Sequence, residues 1–297
     1  ETAAAEPAAA PAAAPVIEAA DPWGGQPGKG SASFSSGALK PFMLGLDTTG
    51  DIKVIATAAK TRLKAAGFDI AGEYSPYPEA QIVTATSAEL KGAAAKSEFG
   101  GYGAVVRVAV TAVGERVQVA YTNPVYLQHI YRMSGDLSAV ATKLGAALGH
   151  EKAFGSKSGI EADKLKKWHY MMGMPYFDDA DKLGSGSQDA LVSKIESSLG
   201  SKKVYRIDIP GKQETLFGVA IDSGKGADGT VMKSIDTGED RHTAHLPYEI
   251  LVSGGTAYAL NGKFRIALSF PDLSMGQFGS ISSAPGAIED ALKAFAK

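Results

Sequence analysis

The chain reads as an α+β protein, two tandem repeats of a small, mainly antiparallel sheet with packed helices. Three observations predict this. Residues 104–124 (AVVRVAVTAVGERVQVAYTNP) form two alternating strand patterns around a Gly114-Glu115 turn. Residues 246–272 (LPYEILVSGGTAYALNGKFRIALSFPD) repeat the arrangement around Gly turns. Each block follows a helix-plus-strand stretch and precedes an Ala-rich helical pattern, so the order helix, strands, helix recurs.

The elements follow in chain order. Residues 1–38 are rich in Ala, Pro and Gly and predict a disordered tail. A first α+β domain spans 39–150. It opens with a strand at PFMLGLD, then a helix over 51–66 with an apolar stripe at Ile52, Ile55, Ala59 and Leu63, stopped by Gly67. FDIAGEYSPY and AQIVTAT read as strands, 87–96 as a polar helix, and DLSAVATKLGAALG as a helix closed by Gly149. Residues 151–184 are a connector with a helix over 160–172. The second α+β domain, 185–297, begins with the helix QDALVSKIESSLG and continues through strands at KVYRIDIP, TLFGVAID and TVMKSID. After the hairpin block, APGAIEDALKAFA closes it as a helix.

Apolar residues make up 44% of the 297 and charged residues 21%, the balance of a soluble globular protein. A net charge of −2 leaves no basic footprint for nucleic acid. No apolar run reaches the length of a transmembrane helix. The absence of cysteine excludes disulfides, thiolate catalysis and Cys-ligated metal centres. The opening ETAAAEPAAAPAAAP looks like a tether that follows a removed export signal, so the expected location is periplasmic or secreted.

The run LPYEILV, with a turn, a second strand and an aromatic-Pro ending, resembles the core of the bacterial domain of unknown function 302 family. Tyr121, Asn123 and Pro124 look like that family's strand-ending motif in the first half. The resemblance spans two divergent copies. It departs around residues 259–263 and at Phe-Pro-Asp, where the family tends to an Asn/Asp-Pro ending. It implies a compact sheet with helices packed against it, and no established reaction.

The densest chemistry lies in WHYMMGMPYFDD, residues 168–179. His169, Met171 and Met174, with His129 and Met133 four apart, are the candidate ligands of a soft metal, copper above all, since thioether and imidazole suit Cu(I). Core packing competes with this reading, because Leu165, Trp168, His169 and Met172 would share one side of the 160–172 helix. Tyr126, Tyr131, Trp168, Tyr170 and Tyr176 are the candidate lining of a ligand groove between the domains, or the cement that joins them.

Other motifs fall short. His242 and His245 with Glu249 lack zincin spacing and read as histidines at the surface or the start of a strand. Gly224, Gly226 and Gly229 match a dinucleotide fingerprint, but the following TVMKSID reads as a strand rather than a helix. Asp179, Asp181 and Gly184 begin a calcium loop that Leu183 and Ala190 break. No catalytic residue is singled out. The expected function is an exported, non-enzymatic binding or accessory protein for an unknown small ligand or protein partner. A copper-binding protein and a structural subunit of an envelope or extracellular assembly are the alternatives.

Overall fold

A computed structural model describes residues 21–35 and 37–297. The first half runs β1 (Phe42–Thr48), α1 (Ile52–Ala65), β2 (Asp69–Tyr74), β3 (Ala80–Thr86), α2 (Ala88–Ala95), β4 (Val106–Val113), β5 (Arg116–Thr122), α3 (Pro124–Ile130), α4 (Ser138–Leu148), β6 (Lys152–Phe154) and α5 (Ala162–Leu165). The second half runs β7 (Asp181–Ser185), α6 (Gln188–Leu199), β8 (Lys203–Asp208), β9 (Glu214–Val219), α7 (Asp228–Ile235), β10 (Tyr248–Ser253), β11 (Thr256–Ala259), α8 (Gly262–Ala267), α9 (Met275–Ser280) and α10 (Ala284–Ala296). The protein is thus α+β.

Local chemistry sets several boundaries. The Asp51 carboxylate accepts the Lys53 and Val54 amides at 2.8 and 3.0 Å and starts α1. Gly67, at φ +87°, carries the chain out of that helix. Asn123 and Asn261 start α3 and α8 in the same way, each accepting the amide two residues on at 3.1 Å.

Every pairing in both sheets is antiparallel. The first sheet is ordered β2-β3-β4-β5-β1-β6 and the second β8-β9-β10-β11-β7. Counted from the first strand of each half, both read second, third, fourth, fifth, first, with β6 added to one edge.

Strand alternation stacks the two sheets face to face. Val106, Val108 and Val110 of β4 and Val117, Val119 and Tyr121 of β5 belong to a core shared with α1 and α4. Ala109 and Ala120, on the opposite face, join Phe217, Tyr248, Ile250 and Val252 in a second core that α6 and α10 cover. Leu216, Leu251, Tyr205 and Ile207 of the second sheet complete the first core in turn. The layers therefore run helix, sheet, sheet, helix, and each core draws residues from both halves. Full burial of each Val, Leu or Ile side chain contributes roughly 1.5–3 kcal/mol. The sheets approach closely at Gly72 on β2, where a Cβ would sit 1.9 Å from the Val204 carbonyl oxygen.

The structure corrects several expectations. TVMKSID is not a strand: Val231, Met232 and Ile235 form the buried side of α7. FRIA of the second block lies in α8 rather than a strand, started by the Asn261 cap. The helix expected over 160–172 is confined to α5, because Trp168 packs on Phe264 at 6.0 Å while Tyr170 stacks on Phe278 at 5.7 Å. Both anchors beyond α5 are set by tertiary contacts, not by a helical stripe. The connector contributes strands to both sheets, β6 to the first and β7 to the second. Residues 21–35 are not a disordered tail. Trp23 is buried, donates its indole N–H to the Leu148 carbonyl at 2.9 Å, and lies under the Arg62 guanidinium at 4.8 Å. The remainder of the expected tail, residues 1–20 and Ser36, lies outside the described residues.

Candidate functional site

A cleft of about 790 Å³ opens where the turn between β2 and β3 faces α7. Pro76, Tyr77, Pro78 and Glu79 form one wall, Thr111 and Ala112 of β4 the floor, and Thr230, Met232 and Lys233 of α7 the other wall. Asp236, Thr237 and Arg241, after α7, close one end. Both halves of the chain therefore contribute to it.

Hydrogen bonds hold these elements in place. Ser75 donates its hydroxyl to the Ala80 carbonyl at 2.7 Å and shapes the turn that carries Tyr77. The Tyr77 hydroxyl meets Thr243 Oγ1 at 2.9 Å, tying that turn to the second half. Gln118 of β5 accepts the Arg241 amide and donates to the Glu239 carbonyl, both at 3.0 Å. Asp236 accepts the His242 amide at 3.0 Å. The Arg241 guanidinium donates to the Asp236 carbonyl.

Burial pushes the Tyr77 phenol up to about 12 and the Asp236 carboxyl up to about 6, the latter against the His242 amide bond and the Arg241 charge. Neither Lys233 nor Arg241 has a carboxylate ion-pair partner among the described residues. Asp222, also on the rim, is engaged by Lys202.

The second sheet has a matching junction, where the β8–β9 turn meets the residues after α2. That junction is filled. Lys212 donates to the Ser97 carbonyl and pairs with Glu214 at 2.8 Å, and Glu214 accepts the Gly101 amide at 3.0 Å.

Between the sheets lies a buried charge cluster. Arg107 Nη2 contacts Glu249 Oε1, both side chains 1% exposed. Tyr205 donates to the same oxygen at 2.9 Å, and Arg265 Nε reaches Glu249 Oε2 at 3.4 Å. Arg265 Nη1 donates to His245 Nδ1 at 2.8 Å. Because a guanidinium only donates, the His245 proton sits on Nε2, 3.1 Å from the Tyr248 hydroxyl. Burial, then the Arg265 and Arg107 charges, hold His245 well below its usual range, so it is neutral. His245 is fully buried and His242 half-buried, so the surface reading fails for His245, while both stand at the entry to β10 as the alternative had it. Burial lowers His242 to about 4.

The glycine pattern does sit between a strand, β9, and a helix, α7, contrary to expectation. It still makes no dinucleotide site. β9 and the next strand, β10, are antiparallel, so no parallel crossover unit exists there. The buried Asp228 occupies the start of α7 itself, accepting the Tyr74 hydroxyl at 3.0 Å and the Ile221 amide at 3.3 Å. Gly226 serves packing, since a Cβ there would lie 2.8 Å from the Ile288 nitrogen on α10.

None of the candidate ligand-binding or metal residues lines the cleft; of the residues singled out in the sequence, only Gly229 of the glycine pattern does. Tyr126 and Tyr131 are fully buried, and Tyr126 donates to the Leu268 carbonyl at 2.9 Å across the halves. Trp168 and Tyr170 pack as described, and Tyr176 meets His169 ring to ring at 4.4 Å. His169 Nδ1 lies 2.7 Å from the Met171 carbonyl oxygen. Met174 packs on the second core, whereas Met133 is buried in the first. His129 and Met133 do not share a helix face, because α3 ends at Ile130 and Arg132 turns the chain at φ +52°. No group of three or more His, Asp or Glu side chains is placed to hold a metal among the described residues.

Apart from Gly229, the cleft residues carry no motif, which is why sequence reasoning missed them. The charge cluster did leave a signal: Arg107 in AVVRVAV, Glu249 in LPYEILV and Arg265 in FRIAL are each lone charges inside apolar runs.

No protein-family model, curated protein or solved structure matches the chain.

Proposed function

We propose that the chain is a non-enzymatic binding or accessory protein that takes its ligand in the cleft between the β2–β3 turn and α7. One observation carries this reading. The cleft at that junction is open and lined from both halves, whereas its counterpart beyond α2 is occupied by Lys212. Its volume is that of a small-molecule site, and it combines apolar walls with a few polar groups. Titration with 1-naphthamide, followed by amide chemical shifts, tests it. Shifts centred on Thr111, Ala112 and Thr230, abolished by Thr230→Trp with the fold intact, are expected. Shifts centred elsewhere would reject the cleft as the binding site.

Export to the periplasm or beyond is part of the same proposal, on the Ala/Pro-rich composition of the first residues. Recovery of the protein from the cytoplasmic fraction of its native cells would overturn it. We also propose that each half is a divergent copy of one unit, the one that resembles the domain of unknown function 302 family. The common strand order and the matched Asn123 and Asn261 caps support this. An experimental structure in which the halves, superposed on their sheets, leave those caps out of register would refute it.

A further inference from the structure

The cleft has a charge pattern more specific than its volume. Lys233 extends from α7 as an exposed side chain, and Arg241 enters from the loop after it, half-buried. Arg241 is held at two points. Its amide is fixed to Gln118 at 3.0 Å, and its guanidinium donates to the Asp236 carbonyl, a neutral acceptor. The guanidinium is thus positioned with no carboxylate in ion-pair contact; the nearby Asp236 carboxyl feels its charge but is engaged by the His242 amide. A guanidinium has five N–H donors in a planar fork, and one carbonyl cannot occupy them.

Opposite these cations the wall is apolar and rigid. Pro76 and Pro78 flank Tyr77, whose hydroxyl is already engaged by Thr243 at 2.9 Å, so what this residue offers a ligand is apolar ring surface. The remaining acid on that wall, Glu79, is exposed on the rim. Its charge repels any anion, and a dianion about twice as strongly as a monoanion, so the rim disfavours high negative charge most. Asp222 is neutralised by Lys202.

We propose that the cleft binds a small organic monoanion, a carboxylate on a flat apolar body. The carboxylate pairs with Arg241 and Lys233, and the body lies on Tyr77 between the two prolines. This rests on the cleft being the binding site, and it adds the chemistry that the site selects.

Three probes with one ring system separate the two claims: 1-naphthoate, 1-naphthamide and 1-naphthyl phosphate, titrated at low salt and again at 0.5 M salt. At low salt naphthoate should bind at least tenfold more tightly than naphthamide, and more tightly than the phosphate. High salt should erase most of that margin. Lys233→Gln and Arg241→Lys should each cut naphthoate affinity several-fold and naphthamide affinity by a clearly smaller factor. If naphthoate and naphthamide bind the cleft equally, the monoanion inference is overturned while the cleft stands as a binding site. If the phosphate binds best, the monoanion assignment is equally overturned. If no probe shifts the cleft amides and Thr230→Trp changes nothing, the binding-site reading itself fails.

Discussion

Arg107 and Glu249 each occupy the second position of the fourth strand of their half, and their side chains meet across the interface between the sheets. The pairing is lopsided, because Arg265 shares the Glu249 carboxylate. Two guanidiniums therefore depend on one buried acid. Removing one partner of a buried ion pair costs far more than replacing both, since the survivor keeps its desolvation penalty.

Glu249→Gln should accordingly cost on the order of 3–5 kcal/mol of stability, and Arg107→Met clearly less, because Glu249 then keeps Arg265. Urea unfolding of the two variants measures the difference. An Arg107→Met variant as damaged as Glu249→Gln would mean that Arg265 does not hold the carboxylate.

Stability should also depend on pH near neutrality. Burial raises the Asp228 carboxyl from 3.8 to about 7 in the folded chain. Between those values the folded state binds the proton that the unfolded state releases, so stability falls as pH rises toward and through 7. Asp236, raised to about 6, acts in the same direction up to that pH. His242, lowered to about 4, and His245, held well below its usual range, oppose both as the unfolded imidazoles titrate around 6.5. From pH 6 to 8 Asp228 by itself removes roughly 1.4 kcal/mol, the equivalent of one pKa unit, and the two histidines offset much of it. Asp228→Asn should therefore tilt the profile over that range toward greater stability at pH 8. Chemical denaturation at pH 6 and 8 checks this, and an unchanged slope in the variant would assign the dependence to other groups.

Gly72 marks a close approach of the two halves. A methyl group there would lie 1.9 Å from the Val204 carbonyl oxygen, so β2 and β8 must move apart. Gly72→Ala should cost about 1–3 kcal/mol, the range for overpacking. A variant with the wild-type urea midpoint would show that the two strands yield freely.

Tyr126 separates cement from ligand lining. Tyr126→Phe strands the buried Leu268 carbonyl that its hydroxyl now satisfies at 2.9 Å, at a cost of about 1–3 kcal/mol. Naphthamide affinity should be unaffected. Weakened probe binding at unchanged stability would return Tyr126 to the ligand site.

The regular elements were legible where the pattern is local. The stripe of α1 with its Asp51 cap, the β4–β5 hairpin, and the helices α4, α6 and α10 follow from periodicity and stop signals. Three segments misread for stated reasons. Val231 and Met232 made α7 look like a strand by composition, the short α8 was hidden behind a hairpin pattern, and the run after α5 is shaped by Trp168 and Tyr170 reaching different aromatic partners. The candidate site was not legible at all. Tyr77 lies far along the chain from Lys233 and Arg241, and the three sit in loops and on a helix whose type was itself misread.

The sequence by itself determined the α+β class, the antiparallel hairpins and the absence of cysteine chemistry, because alternation, capping and residue type act within a few positions of the chain. Only the tertiary structure decided that the two halves face each other through their sheets, that Arg107, Glu249 and Arg265 meet in the interior, and that one of two matching junctions stays open. Those outcomes depend on contacts between residues more than a hundred positions apart, such as Arg107 with Glu249, and strand periodicity says which face is buried but not what buries it.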